Sequence, residues 1–275
     1  MPAATTHRRV LCVDTDPVSN RDERADSEVE LPPVDRTWWS WGGAHGGLLA
    51  ALLLRHAWTH APELRPRSLY TSLLIPADAR PLRSLTEVMR RGGLSAVTRS
   101  LLYQGEALVM IGTALLAGEQ DGPVMQACPA PPVPPAEECP PEYPPVEVVP
   151  FVQHVDIRMA GDARPLGGGT EPVLTAWLRL KEPVFSPAET ALVLLDSMPP
   201  ALYAATTEPV VAPTADFAVH FADGLATADL GDWTLIRTQV EQASYGWMVD
   251  SIRLWRPDGT MLATARQTRR ILAPR

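Results

Sequence analysis

Gly42 to Trp58 reads GGAHGGLLAALLLRHAW, and the reading of this stretch decides the fold. Two glycine pairs, Gly42-Gly43 and Gly46-Gly47, flank Ala44 and His45, and an apolar run then continues unbroken to Arg55. Glycine lets backbone come close to a neighbour or a ligand, and alanine and leucine have high helix propensity. The stretch therefore predicts a glycine loop feeding a buried helix. The first N–H groups of such a helix have no intrahelical partner and lie at the positive end of its dipole, where a carbonyl oxygen or an anion could be held. The same glycines would equally allow the helix to pack tightly on a sheet, and the residues alone leave both roles open.

Working outward, Trp38, Trp39 and Trp41 crowd the approach to the loop, either walling a pocket or seating the helix. Before them, Glu28 to Leu31 reads as a short strand stopped by Pro32 and Pro33, and residues 1–26 carry no periodicity and are expected to be poorly ordered. After the helix, Pro62 and Pro66 break the pattern. Strand-like segments follow at Ser68 to Ile75, Leu82 to Arg90 and Ser95 to Tyr103, with a Gly105-Glu106 turn into Ala107 to Leu116. A helix followed by antiparallel strands is an α+β unit whose sheet must wrap the apolar helix to bury it.

Residues 129–145 read PAPPVPPAEECPPEYPP. Proline removes backbone donors and favours polyproline II, which predicts a semi-rigid spacer and a domain boundary. The second half then repeats the plan of the first: strands at Val148 to Met159 and Val173 to Leu180, and a helix over Ser186 to Ala205 that ends or kinks at Pro199-Pro200. Ser186 is its N-cap and Pro187 its first residue. Strands at Ala215 to Phe221, Trp233 to Val240, Met248 to Trp255 and Met261 to Ile271 complete it. The chain reads as an internal duplication, with a poorly ordered start over 1–26, a first unit over 27–125, a proline-rich linker over 126–146 and a second unit over 147–275.

The totals fit this plan. A chain of 275 residues with 45% hydrophobic and 20% charged residues is globular and long enough for two domains. A formal net charge of -8 repels polyanions, so nucleic acid is not an expected partner. Cys12, Cys128 and Cys139 have neither zinc-site nor redox-pair spacing, and no metal or cofactor is implied. The longest apolar run, Leu48 to Leu54, falls far short of the roughly 20 residues that span a bilayer, and Val10 to Cys12 is too short for a secretory h-region. The expectation is a soluble cytoplasmic protein without a membrane partner.

A helix wrapped by a curved antiparallel sheet, duplicated across a linker, is the double hotdog plan, and the residues point to one family. GGAHGGLLAALLLRHA after an aromatic, followed by SLYTSLLIPADARPL, resembles the first half of the type II acyl-CoA thioesterases. In the second half TADFAVHF resembles that family's T-[IL]-D-H-[SA]-[IM]-x-F strand, and Trp233-Thr234-Leu235 its W-L-L-Y strand. DGTMLATARQTRRIL resembles its D-G-x-L-V-A-[ST]-x-x-Q-E-G-x-x-R ending. The resemblance runs from about residue 36 to 272 and implies a fold of two tandem helix-wrapped sheets. It implies hydrolysis of a thioester of coenzyme A or of an acyl carrier protein, with no cofactor. It places the water-activating aspartate on Asp216 and the glutamine on Gln267. The third position, a serine or threonine in the family, falls on Glu241 when counted from Trp233, with Gln242 and Ser244 as neighbours.

Chemically, a carboxylate at Asp216 could accept a proton from water while Gln267 orients it, and N–H groups near Gly46 and Gly47 could hold the oxyanion. Trp41, Gly43, His45, Gly46 and Gly47 are the candidate substrate-binding residues. Each has a plainer reading: Asp216 as a solvent-facing strand position, Gln267 as an exposed one, His45 as a packed or capping residue. Asp196 lies in the apolar stretch of the second helix, where a carboxylate is costly unless paired, and is the reserve candidate for the base. Glu241, if it lay beside Asp216, would make a like-charge pair suited to other chemistry, and with the third position unmatched a dehydratase, cyclase or isomerase is one alternative and a non-catalytic acyl- or metabolite-binding protein another. Hotdog sheets pair edge to edge, which the two halves could satisfy within one chain or extend by forming a homodimer.

Overall fold

The structure is a computed structural model that describes residues 27–181, 185–228, 230 and 232–272. The expected poorly ordered start and Cys12 lie outside the described residues. Strand β1 (Ser27–Leu31) is followed by a single 3-10 turn over Arg36–Trp38, capped by the Asp35 side chain, which accepts from the Thr37 N–H. Strands β2 (Trp39–Ser40) and β3 (Gly43–Ala44) then form a tiny hairpin. Its tip holds Trp41 at φ 49°, a left-handed conformation that a non-glycine residue adopts only under local constraint.

Helix α1 (Gly46–Trp58) begins where the glycines predict. Nine of its thirteen residues are buried, including both Leu53 and Leu54, so it must be covered on every side. Strands β4 (Arg65–Leu73), β5 (Leu82–Arg91), β6 (Ser95–Gln104) and β7 (Ala107–Ala117) cover one side. The helix sits close to β7, where a Cβ on Gly112 would meet Leu53 Cδ2 at 2.7 Å.

In the second half, strands β8 (Val155–Met159) and β9 (Val173–Leu180) precede helix α2 (Pro187–Leu195). Strands β10 (Thr214–Phe221), β11 (Thr234–Ser244), β12 (Trp247–Trp255) and β13 (Met261–Arg270) follow it. The expected strand over Val148 to Met159 is only half strand. Pro150–His154 forms a 3-10 turn, because Pro150 has no N–H to give a ladder and its fixed φ suits a helical first position. Helix α2 starts with the expected cap, now seen as a reciprocal capping box between Ser186 and Glu189, and stops before Pro199.

All eleven long strands form one antiparallel sheet in the order β1-β5-β6-β7-β4-β10-β13-β12-β11-β9-β8. The halves meet at the β4–β10 pair, which sets Asp216 opposite Ser72 and Val219 opposite Leu69. Both helices lie on the same side of this sheet and pack against each other. Gly47 of α1 touches Asp196 just beyond α2, and Arg55 in the last turn of α1 donates to Glu189 in the first turn of α2 at 2.6 Å. The helices are therefore antiparallel, with opposite dipole ends adjacent. This is the double hotdog of α+β class that the resemblance implies.

The proline-rich segment is a fixed part of the fold. Ala136 and Cys139 are buried against Trp177, Trp233 and Trp255, with Ala130 and Val133 beside them. The indole N–H of Trp177 donates to the Pro134 carbonyl at 2.9 Å, and that of Trp255 to the Cys128 carbonyl at 3.2 Å. Outward-facing tryptophans of the second half thus have partners that a strand-by-strand reading does not supply.

Candidate active site

The site lies where the start of α1 meets the end of α2. Asp196 is the C-cap of α2, and its carboxylate points across to the positive end of α1. Oδ2 accepts the Gly47 backbone N–H at 2.7 Å, and Oδ1 accepts the Gln267 side-chain amide at 2.5 Å. A buried carboxylate is costly unless its oxygens are hydrogen-bonded, and both oxygens here are. The close approach depends on glycine: a Cβ on Gly47 would meet the Leu192 carbonyl oxygen at 2.5 Å, and one on Gly46 would meet Asp196 Oδ2 at 3.0 Å. The glycine pair serves close packing, and the Gly47 N–H is given to Asp196 instead of being left for a ligand.

His45 is the N-cap of α1, 1% exposed, with its ring 4.3 Å from that of Phe151. Nδ1 accepts the Leu48 N–H at 3.2 Å, so the ring proton sits on Nε2, which donates to the Asp196 carbonyl at 3.1 Å. Burial holds the His45 pKa below the ordinary histidine value despite the nearby Asp196 carboxylate. Both nitrogens are committed and the ring is neutral at pH 7, so His45 locks the loop onto Asp196 and does not reach substrate space.

That space is a cavity of about 860 Å³ beside Asp196. Trp41, Gly43 and Gly46 line it, whereas His45 and Gly47 sit behind its wall. Its surface is mostly apolar, with Leu49, Leu73, Phe151, Ile157, Met159 and Met198 among the lining residues, and Tyr143 and Val149 bring the end of the proline-rich segment to it. Thr214, at the start of β10, adds a hydroxyl-bearing side chain to the same lining. Tyr203 also lines it; burial pushes its phenol up to about 12, and its hydroxyl donates to the Val210 carbonyl at 2.8 Å, so it is a neutral group already in use.

The structure separates the other sequence-derived candidates. Gln267 is fully buried and faces the core beside its cross-strand partner Phe217. Asp216 is one residue out of phase with Phe217, Val219 and Phe221, which point inward, so it belongs to the opposite face of the sheet with the exposed His220. There it accepts from the Thr268 N–H at 3.2 Å, and it does not line the cavity. Glu241 sits at a bulge of β11, away from the cavity, where it pairs with Arg266. Strands β13 and β12 stand between β10 and β11, which puts Glu241 roughly 14 Å across the sheet from Asp216 at the usual strand spacing. No Asp216–Glu241 pair forms. The carboxylate that meets Gln267 is Asp196, which its costly position in an apolar helix had already singled out. Thr214 was missed although it opens the quoted TADFAVHF motif, two residues before Asp216. Arg269, whose guanidinium donates to Gln267, was also missed.

Among the described residues, no group of three or more His, Cys, Asp or Glu side chains is placed to hold a metal ion, and no helix is long and apolar enough to cross a membrane.

The architecture and sequence match known proteins. Residues 35–117 match the family model for the acyl-CoA thioesterase N-terminal domain, and residues 125–271 that for the acyl-CoA thioesterase C-terminal domain. A hot dog fold protein of unknown function from Alicyclobacillus acidocaldarius superposes with TM-score 0.79 at 22% identity, covering 91% of this chain and 94% of that one. The acyl-CoA thioesterase II TesB2 from Mycobacterium marinum superposes with TM-score 0.73 at 20% identity, covering 90% and 93%. A bifunctional dehydratase-cyclase domain of ambruticin biosynthesis superposes less well, with TM-score 0.52 at 18% identity over 90% of each chain. These structural likenesses establish the fold. No curated protein matches the sequence.

Proposed function

The chain belongs to the acyl-CoA thioesterase family, and from that premise we propose that it hydrolyses an acyl thioester, with Asp196 as the base that activates water. The observation that carries this reading is the Asp196 carboxylate, fixed at the cavity by the Gly47 N–H and the Gln267 amide. Each carboxylate oxygen keeps a lone pair for a water molecule, and the Thr214 hydroxyl is available to help hold that water.

In the reaction the water oxygen bonds to the thioester carbonyl carbon as Asp196 takes the water proton. The carbonyl becomes an oxyanion, for which the Gly46 N–H at the start of α1 is the donor; the Gly47 N–H is already given to Asp196. The intermediate collapses with cleavage of the carbon–sulfur bond, and the proton on Asp196 passes to the departing thiolate. The products are a carboxylic acid and a thiol. An apolar cavity of this size suits an uncharged, hydrophobic acyl group, and lies within the range of about 300–1,000 Å³ typical of small-molecule sites. The alternative of a dehydratase, cyclase or isomerase rests on the unmatched third position at Glu241, and no paired Asp216–Glu241 site adds to it, since two strands lie between β10 and β11.

The test is release of free thiol from a panel of acyl-CoA thioesters of increasing chain length, with wild type and Asp196→Asn side by side. Thiol release that depends on Asp196 is the expected result. No release at any chain length, or equal release by the variant, would overturn the reading.

A further inference from the structure

The side-chain amide of Gln267 could be seated either way round, since its two ends have nearly the same shape. Only one orientation presents N–H to Asp196. The neighbours decide which. Nε2 faces Asp196 Oδ1 at 2.5 Å, and Oε1 faces Arg269 Nη2 at 2.5 Å. A guanidinium has no lone pair to offer, so the end that faces Arg269 must be the oxygen, and the chemistry permits a single seating.

Arg269 is itself fixed. It lies two residues beyond Gln267 on β13, hence on the same face of the strand, and is 7% exposed. Its Nε donates to Asp250 Oδ2 at 3.0 Å and its Nη1 to the Ala212 carbonyl at 3.3 Å. Asp250 is fully buried on β12, directly opposite Gln267 in the strand register. A buried Arg–carboxylate pair is poor evidence for stability, since apolar residues of similar volume often serve as well. What the pair does is better read from what it touches, and Arg269 touches the Gln267 amide.

We propose that Arg269, anchored by Asp250, is a positioning residue that holds the Gln267 amide in the one orientation able to fix Asp196 for catalysis. The chain runs Asp250, Arg269, Gln267, Asp196, each member hydrogen-bonded to the next. Its effect on turnover rests on the thioesterase reading above; its effect on the Gln267 amide does not.

Two measurements test it. In protein labelled with 15N at glutamine, the Gln267 side-chain amide, identified by its loss in Gln267→Ala, gives one sharp pair of signals in wild type and a broadened or doubled pair in Arg269→Met. With an acyl-CoA that wild type cleaves, Arg269→Met lowers kcat by about 10- to 100-fold with KM nearly unchanged, the size expected of a small misplacement of a catalytic group. In a Gln267→Ala background the same substitution changes kcat less than about twofold, because the two residues act in series. Should Arg269→Met fail to fold, Asp250→Leu/Arg269→Met replaces the pair with apolar side chains and is expected to fold yet show the same loss and the same mobile amide. An unaltered Gln267 amide signal, or an equal fall in kcat with and without Gln267, overturns the proposal. If wild type cleaves no thioester, the functional reading fails while the amide signals still decide whether Arg269 sets Gln267.

Discussion

The backbone N–H of Gly47 donates to the carboxylate of Asp196 at 2.7 Å, joining residues 149 positions apart and linking the start of one hotdog helix to the end of the other. Asp196→Asn keeps the size of the side chain and an acceptor for Gly47 while removing the base. Thiol release should fall by about 100- to 10,000-fold, the usual contribution of a general base. Asp216→Asn, on the opposite face of the sheet, should leave kcat within about twofold of wild type. Equal losses in the two variants would return the base to Asp216.

The same contact predicts a packing effect. Gly47→Ala introduces a Cβ that would meet the Leu192 carbonyl oxygen at 2.5 Å and Asp196 Cβ at 2.8 Å. Neither is the end of a flexible side chain, so the helices must part. Overpacking of this kind costs about 1–3 kcal/mol, and each kcal/mol lowers the melting temperature of a protein this size by about 2–4 °C. Gly42→Ala is the control, since nothing lies within 4 Å of its added Cβ. Thermal unfolding followed by circular dichroism separates the two; a Gly47→Ala protein as stable as the control would show that the helix contact is loose.

Local signals carried much of the fold. The Ala/Leu run over Gly46–Trp58, the Ser186–Glu189 capping box and the alternation along β5, β6 and β13 each declare an element without help from the rest of the chain. Alternation along β10 carried information about the site as well. Phe217, Val219 and Phe221 mark the inward face, which puts Asp216 on the other one, and the motif match outweighed that period-two signal. What no local pattern contains is the meeting of Asp196, Gly47 and Gln267, because it depends on how two helices and a distant strand are set against each other. The docking of the proline-rich segment on Trp177 and Trp255 is likewise a tertiary event that its composition does not declare.

The cavity makes acyl length a measurable variable. Each methylene that moves from water into it contributes about 0.8 kcal/mol, roughly fourfold in kcat/KM, until the space is full. Val149 lines the cavity where the end of the proline-rich segment approaches. Val149→Phe should move the chain length at which kcat/KM stops rising to shorter acyl groups, while the shortest substrates are cleaved as by wild type. A parallel drop at every length would mean that the side chain acts on folding or on the catalytic end instead of on acyl fit.

The buried histidines give stability a definite pH dependence. Burial lowers the pKa of His45, and it is also the first cause of the lowered values of His56 and His60, the former aided by His60 and the latter by Arg91. Below about pH 6.5 the unfolded chain takes up protons at these positions that the folded chain does not. Stability is therefore fully present above the unfolded value and is lost as pH falls toward the folded ones. His45 alone contributes a slope of at most about 1.4 kcal/mol per pH unit, and the more exposed His56 and His60 contribute less. Protonating His45 would also remove the lone pair that caps α1 through the Leu48 N–H. Melting temperature measured from pH 7.5 to 5 should fall steadily, and His45→Asn, whose side chain can still cap the helix but does not titrate, should flatten the curve. An equally steep curve in that variant would assign the acid sensitivity to other groups.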